Sequence, residues 1–295
     1  IFTIGKCCDD YLRAILPGCW ESGANGFLWW SLRDFEAEGH PYNKNAFEGP
    51  LGLVGTGDRV KPVLASICEF AASLPSRPLP VIDQGDIALY WPRHYYLRDD
   101  PLNPGNDPPA LSRRLVIANF TLTQLGHRVG IVRGDQPLEG ISAHTIVITG
   151  AALTSEEVLA LTAWVKAGGK LVWHGIDVTT WGEALNELVG AAPADLCAPR
   201  AYGVKAFGAN WDFRDFPRHI FLHVIPGDAR VAARDRQKRP VILHHKLGLG
   251  SVAASMAQPD DLFAAQSDDR SVRPQWLRWY AGMLALAGVK ARPQK

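Results

Sequence analysis

Residues 6–22 place Tyr11, Leu12, Ile15, Leu16 and Cys19 at helical spacing, which predicts a helix ending at the turn around Gly23. Pro17 falls inside that stretch and predicts a kink or an early end. From Gly26 to Leu32 the chain reads GFLWWSL, apolar and without alternation, the pattern of a short strand buried on both faces of a parallel sheet. Residues 33–59 are rich in Gly, Pro, Asn and acidic side chains and read as one long loop. Loops of that length in compact domains are commonly functional. Helical spacing returns over 60–74, with Pro62 in the first turn, where its missing N–H costs nothing.

Pro75, Pro78 and Pro80 then stiffen the chain, and a linker is expected over 76–85. Beyond it the pattern alternates. Strands are expected at 86–91, 127–133, 143–149 and 170–174, and helices at 108–125 and 154–167, the second opened by the cap and acidic first turn of Thr154-Ser155-Glu156-Glu157. Such alternation implies a parallel sheet covered on both faces, a doubly wound α/β unit spanning 86–295. Three β-like segments at 229–234, 240–246 and 251–256 suggest a closing hairpin insertion, and 274–287 a final amphipathic helix ended by Gly288.

Composition narrows the function. The 295 residues are 47% hydrophobic and carry 31 Lys and Arg against 30 Asp and Glu, so no basic excess points to nucleic acid. No apolar run approaches the roughly 20 residues that span a bilayer. The chain opens on Ile1 without a signal-like segment, which predicts a piece of a longer protein. Five cysteines without CxxC spacing favour buried reduced thiols over disulfides or zinc, and so a reducing, cytoplasmic setting. The histidines offer no ligand set: His219 and His223 stand about 13 Å apart on a strand, and the adjacent His244 and His245 point to opposite sides. No metal or cofactor is expected.

A strand, a polar loop and a helix make one β/α unit, and in (β/α)8 barrels chemistry sits on the loops at the C-terminal strand ends. Trp30 lies near that end, followed by Arg33 and Asp34. An aromatic face stacks on the C–H face of a sugar while carboxylate and guanidinium groups bind its hydroxyls, so the pattern suits carbohydrate. Strand alternation sends one of Trp29 and Trp30 inward, leaving one as plain core.

The stretches GANGFLWWSLRDFE and HPYNKNAFEGPLGLVGTGDRVKP resemble the last β/α unit of glycoside hydrolase barrels of the family 5 cellulase and mannanase type and the family 42 β-galactosidase type. The features that carry the resemblance are Trp30 and Asp34, Pro41 and Tyr42, Glu48, Gly52 and Leu53, and Lys61 and Pro62, all within residues 1–75. It implies an O-glycoside hydrolase of oligo- or polysaccharides, with Trp30, Arg33, Asp34 and Glu48 as substrate-binding candidates. It also implies a retaining mechanism with two glutamates, both expected upstream of Ile1, so that no catalytic residue is expected in this chain and the piece alone is expected to be inactive.

The 86–295 unit is similar to the class I glutamine amidotransferase-like, flavodoxin-type domain that family 42 β-galactosidases carry after the barrel and use for subunit contacts. The resemblance implies an accessory or homo-oligomerisation role. An amidotransferase needs a cysteine at a tight strand-to-helix turn, and the corresponding turn, Thr149-Gly150-Ala151-Ala152-Leu153-Thr154, has none, while Cys197 lies far from it. The loop from Pro92 to Pro109 follows the first strand, where such sheets bind ligands, and is expected instead to pack against the barrel or a neighbouring subunit. The alternative is a carbohydrate-sensing or structural α/β module without hydrolase activity.

Overall fold

The computed structural model describes residues 4–21, 24, 26–35, 49–76, 85–95, 108–176, 180, 182–197, 203–212, 221–265 and 273–290. The chain divides into two compact units, Ile1–Ile82 and Asp83–Lys295. The expected linker falls almost wholly on residues 77–84, outside the described residues.

In the first unit, α1 (Ile4–Glu21) packs on α2 (Pro62–Ser73). Pro17 does not end α1, which continues to Glu21. A proline ring removes one N–H bond to the preceding turn, and the apolar stripe of Leu12 and Leu16 against Val63 holds the helix together across the gap. Pro62 opens α2 at its first position, as its fixed φ favours. Cys8, Trp29, Leu53, Ile67 and Phe70 close around this small core. Cys19 is half-buried and Cys68 exposed, which corrects the expectation of buried thiols: both lie on the outer flank of their helices.

The expected strand at 26–32 is also corrected. Among the described residues this stretch is extended but makes no ladder, and the only pairing near it is the parallel bridge of Arg33 to Val54. A strand exists only by its neighbours, and here just one side has a partner.

The second unit begins with β1 (Ile87–Trp91), α3 (Pro108–Gln124), β2 (Val129–Arg133), β3 (Thr145–Thr149), α4 (Ser155–Lys166) and β4 (Lys170–His174). It continues through α5 (Glu183–Val189), β5 (Ala191–Cys197), β6 (Gly203–Ala206), β7 (Ala209–Asp212) and β8 (Phe221–Pro226). β9 (Arg230–Arg234), β10 (Pro240–Leu247), β11 (Gly250–Ser255), α6 (Pro259–Ala265) and α7 (Arg273–Leu286) complete it. The central sheet has seven strands in the order β2-β1-β3-β4-β11-β10-β9, while β5 pairs with β8 and β6 with β7 in two small sheets.

This is a mixed α/β unit with a mostly parallel central sheet. β2, β1, β3, β4 and β11 run parallel, β10 runs against them, and β9 pairs antiparallel with β10. The order reverses at β1, with β2 on one side and β3 on the other. Right-handed crossovers then place α3 and α4 on opposite faces. Packing agrees: α3 meets α6 and α7, and α4 meets α5. The middle strands read IALYW, TIVIT and KLVWH and are buried along nearly their whole length, as strands covered on both faces must be. The expected hairpin insertion belongs instead to the central layer, because β11 docks in register on β4, Ser251 beside Lys170 through Ser255 beside His174.

Candidate functional site

The first candidate is the stretch from Trp29 to Asp34 and the segment that returns beside it. Leu53 N donates to Ser31 O (3.0 Å), Val54 N to Leu32 O (2.9 Å) and Asp34 N to Val54 O (2.9 Å), so residues 49–55 run alongside 31–35. Close approach of the two backbones explains Gly52. A Cβ there would fall inside contact distance of the Arg33 carbonyl carbon and the Asp34 nitrogen.

The two tryptophans divide, one toward the helical core and one outward. Trp29 packs on the helical core and its indole N–H donates to Leu51 O at 2.7 Å. Trp30 is 62% exposed, and the tilted ring of Phe35 lies near it, 6.2 Å between centroids. Leu28 and Leu32 are 98% and 66% exposed, so the apolar stretch leaves large apolar side chains uncovered.

The polar candidates are not equivalent. Asp34 is engaged within the unit: its Oδ1 accepts from Gly52 N (2.9 Å) and from the ammonium of Lys61, which also donates to Pro50 O (2.7 Å). Both side chains of that ion pair are largely buried. Arg33 is exposed and pairs with the exposed Asp58. Glu48, Pro41 and Tyr42 lie outside the described residues. The structure thus brings Trp30, Arg33 and Asp34 to one stretch and ties Asp34 down. Sequence reading missed Lys61 as its partner, although the Lys-Pro at the start of α2 placed a cation there.

In the second unit, the crevice outside β1 and β3, where the strand order reverses, is the customary ligand position of such sheets. Here the chain's own side chains fill it. The Glu157 carboxylate, buried behind the capping box of α4, accepts from Tyr90 OH (3.1 Å), Arg93 N (2.9 Å) and Thr154 N (2.9 Å). Gln258 lies over Gly150 and Gly175, where a Cβ would fall inside contact distance of its side chain. The loop beyond residue 95, expected to pack on the barrel or a neighbouring subunit, is outside the described residues.

A polar cluster lies beneath, at the ends of β4 and β11. Asp260 is fully buried. It accepts from Tyr280 OH at 2.5 Å and Gln258 Nε2 at 3.1 Å, and faces His174 Nδ1 at 3.2 Å. The Tyr280 ring meets the His174 ring edge-on at 4.6 Å. Burial first, and then the Asp260 charge and hydrogen bond, push the Tyr280 phenol well above its ordinary range. A raised folded value means stability is full below the ordinary phenol range and falls as pH climbs from there toward the folded value. Thermal melts between neutral and strongly alkaline pH are expected to show this fall, and Tyr280→Phe is expected to flatten it. A Tyr280→Phe slope equal to that of the parent would refute the assignment.

The histidines fall as the strand pattern required. His245 is buried and His244 half-buried on β10, and burial together with Arg230 and Lys246 lowers the His244 value. His219 is outside the described residues. Among the described residues no group of three or more metal-ligating side chains occurs.

Comparison with solved structures identifies the class of protein that shares this architecture. The structural neighbours of the chain are glycoside hydrolases. The exo-β-1,4-mannosidase Op5Man5 of Opitutaceae bacterium strain TAV5 is 40% identical, with a TM-score of 0.83 over 94% of this chain and 49% of its own. Gan42B, a GH42 β-galactosidase of G. stearothermophilus seen as a catalytic mutant, is 15% identical at a TM-score of 0.63, over 91% of this chain and 40% of its own. The β-galactosidase of the psychrophilic Marinomonas ef1 is 15% identical at a TM-score of 0.63, over 96% and 42%. The galactosidases share the fold, while the mannosidase shares sequence as well. This chain spans about half the length of the mannosidase. No protein-family model matches the chain, and no curated protein matches it.

Proposed function

We propose that this chain is the C-terminal part of a retaining glycoside hydrolase whose substrates are β-linked mannosides or closely related oligosaccharides. The observation that carries the proposal is the 40% identity to an exo-β-1,4-mannosidase across nearly the whole chain. The first unit supplies one β/α unit of a barrel. An extended apolar stretch with exposed side chains, as at Leu28 and Leu32, suits a strand that further parts of a barrel would cover. Trp30 forms one wall of a sugar subsite, Arg33 and Glu48 are candidates for binding sugar hydroxyls, and Asp34 holds the loop through Lys61.

The two carboxylates of the reaction belong to the barrel outside this chain, so the piece by itself is inactive. The α/β unit is an accessory domain of amidotransferase-like type, without catalysis of its own, that mediates self-association. The filling of its crevice by Glu157 and Gln258 supports that role.

The test is hydrolysis of aryl β-mannosides and β-galactosides by the complete reading frame that encodes this chain. Trp30→Ala is expected to raise KM about tenfold or more, the loss of one stacking face, with a smaller change in kcat. Absence of hydrolysis of either glycoside by the folded complete protein would overturn the assignment. A Trp30→Ala enzyme with unaltered KM would remove Trp30 from the subsite.

A further inference from the structure

The α/β unit holds a second concavity, at the opposite edge of the sheet from the crevice that Glu157 and Gln258 fill. It lies where β10 ends. Leu247 stands beside Gly250 at the start of β11, and Ser251 beside Lys170 at the start of β4, so this is the edge from which the parallel strands set out. The pocket measures about 590 Å³ and is framed by the end of α5, the start of β5, the turn after β8 and the end of β10. That volume falls in the range of sites for small organic ligands, roughly 300 to 1,000 Å³.

Two buried polar atoms without a partner among the described residues belong to its lining. Glu157 and Asp260 are paired, while Thr149 Oγ1, His174 Nε2 and a few other buried polar atoms of the unit lack a partner among the described residues but do not line this pocket. Here His245 is only 7% exposed, yet among the described residues its Nδ1 has no hydrogen-bond partner, and neither has Asn186 Oδ1. Asp228 and Lys246, both on the rim, make no hydrogen bond or ion pair among the described residues. The His245 ring lies against Gly190, whose φ of +68° ends α5, and a Cβ there would be 2.6 Å from Nδ1. That contact fixes the ring in the pocket wall and requires glycine at position 190.

The charges identify the ligand class. Asp228 and Lys246 are of opposite sign, and Glu187, the remaining charged group of the lining, is already paired with Lys166 at 2.5 Å. The site is therefore close to neutral and does not select an ion. Ile225 and Pro226 supply a C–H surface, while carboxylate, ammonium, amide and imidazole together offer both acceptors and donors. A hydroxylated ring matches that set, since it has one apolar face and a rim of groups that both donate and accept.

We propose that this pocket is a non-catalytic binding site for a neutral saccharide of mono- or disaccharide size. It is independent of hydrolysis, because both its location and its ligand class are argued from the α/β unit alone.

The experiment is isothermal titration of the full 295-residue chain with β-1,4-mannobiose, cellobiose and, as a charged comparison, the glycine zwitterion. Ring resonances of His245 are followed by NMR in parallel. Saturable binding of at least one disaccharide is expected, with the His245 resonances shifting along the same isotherm. Asp228→Ala and Lys246→Ala change exposed side chains and are expected to keep the fold. Each should weaken binding about tenfold, the loss of one hydrogen bond to a charged group. The proposal is overturned if neither disaccharide gives a saturable isotherm, if binding leaves His245 unmoved and both variants unaffected, or if only the zwitterion binds. Saccharide binding by a protein that cleaves no glycoside would leave this site standing and remove only the hydrolase assignment.

Discussion

Asp260→Ala is expected to destabilise the α/β unit by about 3–5 kcal/mol, because each buried donor left without its acceptor costs about 1–3 kcal/mol. The reason lies in the partners left behind. Tyr280 OH, Gln258 Nε2 and His174 Nδ1 all converge on this carboxylate, and none of the three residues has open access to water. Each belongs to a different part of the unit, Tyr280 to α7, Gln258 to the turn before α6 and His174 to β4. Losing the acceptor therefore loosens two helices from one strand end. Asp260→Asn keeps an oxygen acceptor and the shape, so a smaller loss of about 1–2 kcal/mol is expected. Urea unfolding followed by tryptophan fluorescence checks both, since Trp173 and Trp279 are buried in this core. Equal and small effects of the two substitutions would show that the cluster contributes little.

Lys61→Met is expected to cost the first unit about 3 kcal/mol, because the largely buried Asp34 carboxylate keeps Gly52 N–H but loses its cation. The methionine matches the apolar stem of lysine and not its charge, so packing against the helical core is retained. The effect should be local. Limited proteolysis within residues 49–60 should accelerate, and the fluorescence of Trp29, bonded to Leu51 O, should change. The double variant Lys61→Met with Asp34→Asn removes the stranded charge and is expected to recover much of the loss. A single variant as resistant as the parent would mean that the backbone pairing of 31–35 with 49–55 holds the segment without the ion pair.

Long regular periodicity was legible in the sequence. β4 spans the residues its pattern predicted, α4 carries the capping box read from Thr154 and Glu157, and β1, β3 and α3 begin within a residue or two of their expected positions. What escaped was short or held by distant partners. β5 reads AAPADLC, with a proline and an aspartate that argue against a strand, and it exists through its pairing with β8. The β6–β7 hairpin turns through Phe207 and Gly208, both at positive φ, rather than through an Asn-Gly pair. Phenylalanine tolerates that conformation because its ring stands edge-on to Trp279 at 5.7 Å, a tertiary contact with no local signature. The error at 26–32 was of the opposite kind: the side chains have the character of a strand, but hydrogen bonding depends on neighbours that local pattern cannot supply. At the candidate site the residue types were legible, whereas the engagement of Asp34 by Lys61 depends on the loop folding back.

The position of β11 bears on how this unit is made. It is near the end of the chain but inside the sheet, between β4 and β10, so the parallel half stays open at β4 until residues 250–255 have emerged and docked. Until then β4 presents an unpaired, strongly apolar edge, KLVWH, the kind of surface that recruits other chains. A premature stop before residue 250 would therefore leave an aggregation-prone sheet rather than a slightly shorter domain. Any trimmed version of this protein should keep β11, with α6 and α7 behind it.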